Sequence, residues 1–467
     1  MPKLTPLPLT ELTAISPIDG RYGERTQELR PLVSEYALIK TRVEVEAKYL
    51  IALSDVGVVR KLTQDEKKRL NSFGSELSLE NAGKIKKIEE ETRHDVKAME
   101  RVFRSMLSGT SLENVTEKVH FGLTSEDVNN ISYRLMLKRA TEDVSIPAID
   151  KFTNELVTRA EQHKATPMLA RTHGQAAVPT TLGKEVVNFA SRLNKETRKL
   201  EKQELTGKLT GAVGNFNALK IAYPDIDWIS FSENFVRSFG LEPNLTTTQI
   251  NPYEDMVEYF QNYIRINNIL IDFDQDVWRY ISDNWFVQQA KKGEVGSSTM
   301  PQKVNPIDFE NSEGNLGIAN AIFEFFSRKL PISRLQRDLS DSTVIRNIGT
   351  ALGFSLIAYK SVAGGLSRVA PNLDEIKKRL NEDWSILTEG AQTLLRLDGV
   401  EDPYSLMVKL TRGGHINGQE EWINLIDGLE IEADQKTNLK KLTPRTYIGL
   451  AVKLTERAIK EIKSSLT

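Results

Sequence analysis

A pair of serine hydroxyls, an ammonium group and an amide stand close together in segment 293–310, the part of the chain best suited to chemistry. Ser297 and Ser298 supply the hydroxyls, Lys303 the ammonium group and Asn305 the amide. Two glycines and two prolines in the same segment loosen the backbone and stop a flanking helix from running through it. Binding and catalytic groups concentrate on loops of this kind. The segment is interpreted as an active-site loop, with an ordinary Ser/Gly connector as the alternative.

The five histidines are candidate acids and bases, because histidine titrates near neutral pH. His173 lies in ARTHGQAAVPTT, shortly before Pro179 and a helical pattern, which predicts a loop or the start of a helix; a structural histidine is the alternative. His94 lies between Arg93 and Asp95, a charge cluster that is also typical of a solvated helix face. No histidines have metal-ligand spacing such as HExxH, and the chain has no cysteine. We therefore expect neither a metal site nor thiol chemistry.

Phosphate-binding patterns of the common kinds are missing from the sequence. It contains no Walker loop and no strand–GxGxxG–helix arrangement, so no nucleotide cofactor is expected. Instead, cations and hydroxyls that together suit a phosphate and two carboxylates are scattered along the chain. These residues are Arg21, Tyr22, Thr124, Ser125, Arg337, Ser342, Thr343 and Arg346. Each of them alone is typical of a surface or a helix cap.

Composition excludes several classes of protein. The 467 residues include 62 Lys and Arg against 64 Asp and Glu, a net charge of −2. Nucleic-acid and membrane-surface proteins show a strong basic excess instead, so neither partner is expected. The first residues lack the apolar run of a secretory signal, and no segment approaches the roughly 18 apolar residues of a membrane span. A cytoplasmic protein with small-molecule substrates is the expectation.

Helical periodicity runs through most of the chain. Its clearest instance is Glu254 to Trp285, where apolar residues recur every three or four positions without internal Pro or Gly. Similar periods predict long helices over Thr180–Leu205, Ile307–Leu330 and Arg346–Leu366, and strand-like alternation is rare. The fold is predicted to be all-α, built on a long helical bundle. Dense aromatics such as Phe323, Phe325 and Phe326 exceed what one core face requires, which predicts burial between subunits.

A helix start is predicted at Thr124, which is suited to cap a helix with Asp127 three residues later. The helix is expected to continue from Ser125 towards His163, with Pro147 as a kink or break. After residue 371 the composition shifts to shorter and more charged helices.

Three separated blocks carry a resemblance to a known superfamily. They are TSEDVNN at Thr124–Asn130, RTHGQ at Arg171–Gln175 and GSSTMPQKVNP followed by Glu310. Together they resemble the fumarase/aspartase superfamily, whose members eliminate fumarate from succinyl-type substrates. Four more blocks are similar to the branch that acts on succinylated purine nucleotides: SPIDGRY at Ser16–Tyr22, TRHDV at Thr92–Val96, TTQI at Thr247–Ile250 and RDLSDSTVIRN at Arg337–Asn347.

The resemblance implies an anti β-elimination that releases fumarate from a succinylated purine nucleotide and from the succinylated imidazole-carboxamide ribotide of purine synthesis. It implies that Ser297 is the base and His173 the acid, and that Glu310 orients and charges His173. Lys303 would bind the negative charge that grows on the substrate carboxylate. It also implies substrate contacts from Arg21, Tyr22, Arg93, His94, Asp95, Thr124, Ser125, Gln249, Ser298, Asn305, Asn311, Arg337, Ser342, Thr343 and Arg346.

The family fold implies three helical domains: residues 1–114, a central bundle over 115–368 that carries the loop 293–306, and a small domain over 369–467. It further implies a homotetramer in which four bundles form a common core and each active site draws on three chains. Two alternatives stay open. One is a sister lyase acting on argininosuccinate, aspartate or malate, and the other is a non-catalytic structural homologue.

Overall fold

Helices dominate the computed structural model, which describes residues 7–289, 299–300, 302–411 and 414–466. Up to residue 162 the helices are α1 (Arg30–Val33), α2 (Glu35–Asp55), α3 (Gln64–Ser75), α4 (Leu79–Thr92), α5 (Asp95–Leu107), α6 (Ser125–Ala140) and α7 (Ile146–Gln162). The middle of the chain forms α8 (Leu182–Lys202), α9 (Asn217–Ala222), α10 (Trp228–Arg237), α11 (Glu254–Ser282), α12 (Ile307–Lys329), α13 (Ser340–Ile345) and α14 (Ile348–Leu366). The last part forms α15 (Leu373–Asn381), α16 (Thr388–Leu397), α17 (Pro403–Thr411), α18 (Gln419–Asp427), α19 (Ala433–Lys440) and α20 (Ala451–Ser465).

Two compact units make up the chain, and each is assembled from three separated segments. Unit 1 comprises Met1–Ala148, Lys199–Asn267 and Gly314–Lys360. Unit 2 comprises Ile149–Arg198, Asn268–Glu313 and Ser361–Thr467. The division into the three domains 1–114, 115–368 and 369–467 stays a prediction.

The predicted long helices are confirmed, with local differences at their ends. α11 has 29 residues and stops at Ser282, short of the predicted Trp285, because Asn284 has a positive φ of 61° that no α-helix accommodates. The helix predicted from Ser125 is divided into α6 and α7 by a π-helical turn over Thr141–Ser145. That turn ends two residues before Pro147, which lacks the N–H that a regular helix requires.

Three two-stranded sheets interrupt the helices of the described residues, and the sequence analysis predicted none of them. β1 (Pro167–Thr172) pairs antiparallel with β2 (Gln175–Thr181). β3 (Thr206–Gly207) pairs in parallel with β4 (Glu242–Pro243), and β5 (Phe286–Gln288) pairs antiparallel with β6 (Val369–Pro371). The strands are short, so the all-α prediction holds for the fold class.

An aromatic cluster forms part of the core of unit 1. The Phe323 ring lies 5.6 Å from Phe260 and 5.2 Å from Tyr263, between ring centroids, and Phe326 lies 5.2 Å from Phe260. Phe323 and Phe326 are thus buried inside the chain, which corrects the expectation that these aromatics need a second subunit. Phe325, at 47% exposure, is the member of the group that points away from this core.

Unit 2 has an aromatic core of its own. The Phe273 ring of α11 lies between Phe152 of α7, at 5.4 Å, and Phe189 of α8, at 5.3 Å. The helices α15 to α19 contribute residues to a core cluster that includes Trp384 and Trp422, both buried. These rings fix the helices against one another through apolar burial. No described helix combines the length and apolar character that a bilayer crossing demands.

Candidate functional site

The predicted site residues divide between the two units. Unit 2 contains the predicted acid His173 together with Lys303, Glu310, Asn305 and Asn311. Unit 1 contains the rest of the described set, namely Arg21, Tyr22, Arg93, His94, Asp95, Thr124, Ser125, Gln249, Arg337, Ser342, Thr343 and Arg346. Ser297 and Ser298 lie outside the described residues, as do the other residues of 293–298 and residue 301 of the predicted loop 293–306.

His173 occupies the tip of the β1–β2 hairpin rather than a loop before a helix. Thr172 pairs with Gln175, so His173 and Gly174 form a two-residue turn. Their φ angles are 52° and 74°. Positive φ at both central positions is what a type I′ hairpin turn requires. The imidazole is exposed and has no hydrogen-bond partner among the described residues. It is therefore free to meet a ligand.

Arg171 anchors this hairpin tip to the end of α11. Its guanidinium donates a hydrogen bond to the Asp283 carboxylate and lies 4.8 Å from the centre of the Trp285 ring. Asp283 also accepts from Arg279 Nε at 3.2 Å. Charge pairing and cation–π contact together hold the strand that carries His173.

Glu310 lies in the first turn of α12, where the helix begins directly after Pro306. The fixed φ of proline suits a helix start, and a carboxylate near a helix N-terminus is stabilised by the helix dipole. Trp278 donates its indole N–H to Glu310 Oε1 at 3.1 Å. The carboxylate is exposed, so its second oxygen remains available to a ligand or an imidazole. In the described residues, no hydrogen bond or ion pair joins Glu310 to His173.

Lys303, Asn305 and Asn311 flank this helix start. The Lys303 backbone N–H donates to the Met300 carbonyl at 3.1 Å, and its side chain is exposed. Asn311 accepts a hydrogen bond from Ser361 Oγ at 2.6 Å, which fixes the orientation of its amide. A cation and two amides therefore lie at or near the N-terminus of one helix, an arrangement that favours anions.

In unit 1, Asp95 is held by two arginines. Its Oδ2 lies 2.8 Å from Arg42 Nη2 and 2.7 Å from Arg346 Nη2. Arg42 is 1% exposed and donates its Nε–H to Asn129 at 2.9 Å. Burial raises the pKa of the Asp95 carboxyl, but Arg42 and Arg346 outweigh burial and hold that pKa well below its usual range. Asp95 is therefore a fixed anion.

Arg346 has a second carboxylate partner, since its Nη1 lies 2.8 Å from Glu35 Oε2. Both residues line a cleft of 330 Å³ that also includes Ser16, Asp19 and Arg30. The cleft brings the SPIDGRY block next to Arg346 of the RDLSDSTVIRN block, and these two blocks are far apart in the sequence. A polar cleft of this size with arginines at its wall can take an anionic group.

Thr124 and Ser125 begin α6, as predicted. The Asp127 carboxylate accepts the Thr124 backbone N–H at 2.9 Å, and it also accepts the N–H groups of Thr210 at 3.0 Å and Gly211 at 3.2 Å. Lys208 Nζ lies 2.9 Å from the same carboxylate, and both side chains are fully buried. This buried pair fixes the start of the helix, which leaves the half-exposed Thr124 and Ser125 in defined positions.

Arg337 and Gln249 are in contact. Arg337 Nη1 donates to Gln249 Oε1 at 3.3 Å, and Arg337 Nη2 lies 3.2 Å from Glu126 Oε2. Thr248 Oγ1 donates to the Gln336 carbonyl at 2.9 Å, so two contacts tie these loops together. The structure thus joins the TSEDVNN, TTQI and RDLSDSTVIRN blocks in one cluster.

The other predicted residues have local roles in the structure. His94 is the N-cap of α5, and its Nδ1 accepts the Lys97 backbone N–H at 3.1 Å, so the proton of a neutral ring is on Nε2. Arg93 has a left-handed φ of 50° at the end of α4. Arg21 lies over the Tyr22 ring at 5.9 Å. The Ser342 backbone N–H donates to Asp341 at 2.7 Å, and the neighbouring Thr343 is exposed.

Sequence reasoning missed Arg42, Glu35 and Glu126. Each of them pairs with a predicted site residue that is distant in the sequence. Arg42 had a signal, because it stands at helical spacing from the apolar residues Leu38 and Val45 on one side of α2. Glu126 lies inside the TSEDVNN block but carried no motif of its own.

Comparison with known families and proteins identifies relatives over nearly the whole chain. A family model described as "Lyase" matches residues 20–321, and a model of the adenylosuccinate lyase C-terminal region matches residues 333–448. The adenylosuccinate lyase of Haemophilus influenzae is 46% identical over 453 residues, covering 96% of this chain and 99% of that protein. The corresponding enzyme of Escherichia coli is 45% identical over 452 residues, with the same coverage.

Solved structures show the same fold at low sequence identity. A fumarate lyase from Mesorhizobium covers 93% of this chain and 97% of its own, with a TM-score of 0.74 and 16% identity. The 3-carboxy-cis,cis-muconate lactonizing enzyme of Pseudomonas putida covers 94% and 98%, with a TM-score of 0.71 and 16% identity. Identity this low supports the shared fold alone.

Proposed function

The chain belongs to the lyase family and, within it, to the adenylosuccinate lyases, and we propose that it eliminates fumarate from adenylosuccinate to give AMP. The observation that carries this is the 45–46% identity to adenylosuccinate lyases over 96% of the chain. The same elimination from succinylaminoimidazole carboxamide ribotide gives aminoimidazole carboxamide ribotide in purine biosynthesis. A sister lyase activity on argininosuccinate, aspartate or malate is disfavoured by the adenylosuccinate-type C-terminal match.

The reaction breaks one C–H and one C–N bond on opposite faces of the succinyl group. A base removes a proton from the carbon next to a carboxylate, and the electron pair forms the C=C bond of fumarate as the amine departs. An acid then supplies the proton that the nitrogen requires. We assign the base to Ser297, which acts as an alkoxide once loop closure excludes water. The carboxylate must bear growing negative charge, and Lys303, Asn305 and Ser298 are assigned to stabilise it.

His173 is the proposed acid. Its exposed position on a hairpin tip, without a hydrogen-bond partner in the described part of the chain, supports that role, because the ring is available to the leaving nitrogen. Glu310 is proposed to orient the imidazole and to favour its charged form. The carboxylate uses one oxygen for Trp278, so the other can accept from the ring.

The nucleotide is proposed to bind through the charged and polar residues that the family resemblance implies. The phosphate and ribose are assigned to Arg21, Tyr22, Arg337, Ser342, Thr343 and Arg346. The succinyl and base ends are assigned to Arg93, His94, Asp95, Thr124, Ser125, Gln249 and Asn311. The contacts of Arg346 with Asp95 and Glu35 support this in part, because two carboxylates hold the arginine ready for exchange with an anionic ligand. We further propose that the protein is a homotetramer whose active sites are shared among subunits, and that it is located in the cytoplasm.

Loss of the ultraviolet absorbance of adenylosuccinate, together with enzymatic detection of fumarate, tests the proposed function. Purified protein should consume adenylosuccinate and release fumarate and AMP in equal amounts. Parallel assays with argininosuccinate, aspartate and malate should show no fumarate. Fumarate release from one of these and not from adenylosuccinate would transfer the assignment to the sister lyase, and no release from any would favour a non-catalytic homologue.

A further inference from the structure

A buried carboxylate lies beside Arg337, and no role has yet been assigned to it. Glu126 is the second residue of α6, and its side chain is 3% exposed. Its Oε2 lies 3.2 Å from Arg337 Nη2, and the Arg337 side chain is itself 12% exposed. A carboxylate this deeply buried needs a countercharge, and Arg337 is the cation within ion-pair distance.

Arg337 retains hydrogen-bonding capacity in this arrangement. One Nη group donates to Gln249 and the other contacts Glu126. Its Nε is buried and has no hydrogen-bond partner in the described residues. A buried donor without a partner is costly, so its presence marks a position that a ligand can fill.

The other cations near Glu126 are engaged elsewhere. Arg134 of the same helix donates to Asp255 at 2.8 and 2.9 Å. Lys208 pairs with Asp127 at 2.9 Å. Arg337 therefore provides most of the compensation for Glu126, and its loss to another anion would leave that carboxylate poorly compensated.

A second buried acid interacts electrostatically with Glu126. Asp341 of α13 is 3% exposed and accepts a hydrogen bond from Tyr253 Oη at 3.0 Å. Burial and the neighbouring Asp341 charge raise the pKa of Glu126 to about 7, although Arg337, Lys208 and Arg134 all lower it. Glu126 thus titrates in the physiological range.

We propose that Glu126 positions Arg337 for an anionic group of the substrate and takes up one proton from solvent when that anion binds. This inference rests on the proposed function, which assigns Arg337 to the nucleotide. The physical reason is charge balance. A phosphate that contacts Arg337 is compensated by the positive charge that otherwise compensates Glu126. The phosphate also adds negative potential beside the buried carboxylate, and a proton on Glu126 removes the resulting repulsion.

Binding of AMP, measured by titration calorimetry in buffers of different ionisation enthalpy, tests this coupling. At about pH 8 the wild-type protein should take up close to one proton for each AMP bound, and its affinity should fall by up to about tenfold per pH unit above 7. Release of a proton, or no exchange, would overturn the inference. Adenosine, which lacks the phosphate, should bind without uptake.

Glu126→Gln removes the titrating group and keeps its size and an oxygen for Arg337. This variant should bind AMP without proton uptake, and at about pH 8 its Kd should be lower than that of the wild type, by up to about tenfold. Its KM for adenylosuccinate should fall in the same way, while kcat changes less than about twofold. Glu142→Gln, at an exposed carboxylate on the π-helical turn, is the matched control and should behave as the wild type.

The outcomes separate this inference from the proposed function. If the protein converts adenylosuccinate but the proton uptake is the same in Glu126→Gln, Glu126 has no such role and the inference fails alone. If the protein converts no adenylosuccinate, the function fails, and AMP binding still decides on Glu126. Should Glu126→Gln not fold, the calorimetry of the wild-type protein still decides, because proton release or no proton exchange on AMP binding overturns the inference.

Discussion

Asp95 Oδ2 lies 2.7 Å from Arg346 Nη2, although 251 positions separate the two residues. The contact joins the TRHDV block to the RDLSDSTVIRN block, and the buried Arg42 donates a hydrogen bond to the same Asp95 oxygen. Two sets of residues that are proposed to bind different ends of one nucleotide are thus parts of a single ionic network. Any ligand anion that takes Arg346 must compete with Asp95.

Asp95→Asn should lower the stability of the protein by about 1–3 kcal/mol at neutral pH, because Arg42 would be left buried without its anion. The folded-state pKa of Asp95 is depressed, so its contribution is present above the unfolded pKa of about 4 and is lost as pH falls through the lower folded value. The difference in urea midpoint between wild type and variant should therefore stay constant from about pH 8 to 5 and narrow only at lower pH. Asp225→Asn, at an exposed carboxylate, is the control. A difference in urea midpoint between wild type and Asp95→Asn that grew on acidification would contradict this explanation.

Lys208→Met should be among the most destabilising single changes in unit 1. It would leave Asp127 as an uncompensated charge at zero exposure, a loss of about 3–5 kcal/mol. The same substitution at Lys440, which pairs with Asp427 on the surface, should change stability by less than about 1 kcal/mol. Denaturant unfolding measures the free energy of unfolding of the two variants. Equal losses of unfolding free energy would mean that the buried ion pair stabilises the protein no more than the surface pair.

His173→Asn should separate chemistry from folding at the hairpin tip. Asparagine tolerates the positive φ of 52° that His173 adopts, so the turn should form and the melting temperature should stay close to that of the wild type. Turnover of adenylosuccinate should fall by about 10²–10⁴-fold, the usual contribution of a general acid. Activity within about tenfold of wild type would remove His173 from the acid role.

Ser297→Ala should abolish elimination, while AMP still binds with nearly unchanged affinity, since the proposed base acts only on the succinyl carbon. Ser298→Ala is the matched control and should lose less activity, because it removes one donor and not the base. The reverse order would assign the base to Ser298.

Mixing the inactive Ser297→Ala and His173→Asn proteins should restore part of the activity if the sites are shared between subunits. The proteins would be mixed under conditions of verified subunit exchange, and fumarate release would be followed over time. Exchange without recovery would place both residues of a working site on one chain.

Local sequence patterns were enough to predict the helices. The apolar stripe of Glu254–Trp285 and the cap at Thr124 depend on residues within a few positions of each other, and both are present in the structure as α11 and the start of α6. The family resemblance, likewise local, identified the lyase family that the comparisons confirm. The catalytic and ligand roles assigned with it remain predictions.

Partnerships between distant residues could not be obtained in this way. The His173 hairpin was missed because its strands are short and its turn residues are not the common Asn-Gly pair. Two ion pairs could not be predicted from the sequence, namely Arg42 with Asp95 and Glu126 with Arg337. An ion pair depends on which buried groups the packed helices bring together. Helical periodicity can be read from neighbouring residues in the sequence. The partner of a charged side chain, in contrast, is determined only when distant segments pack together and exclude water.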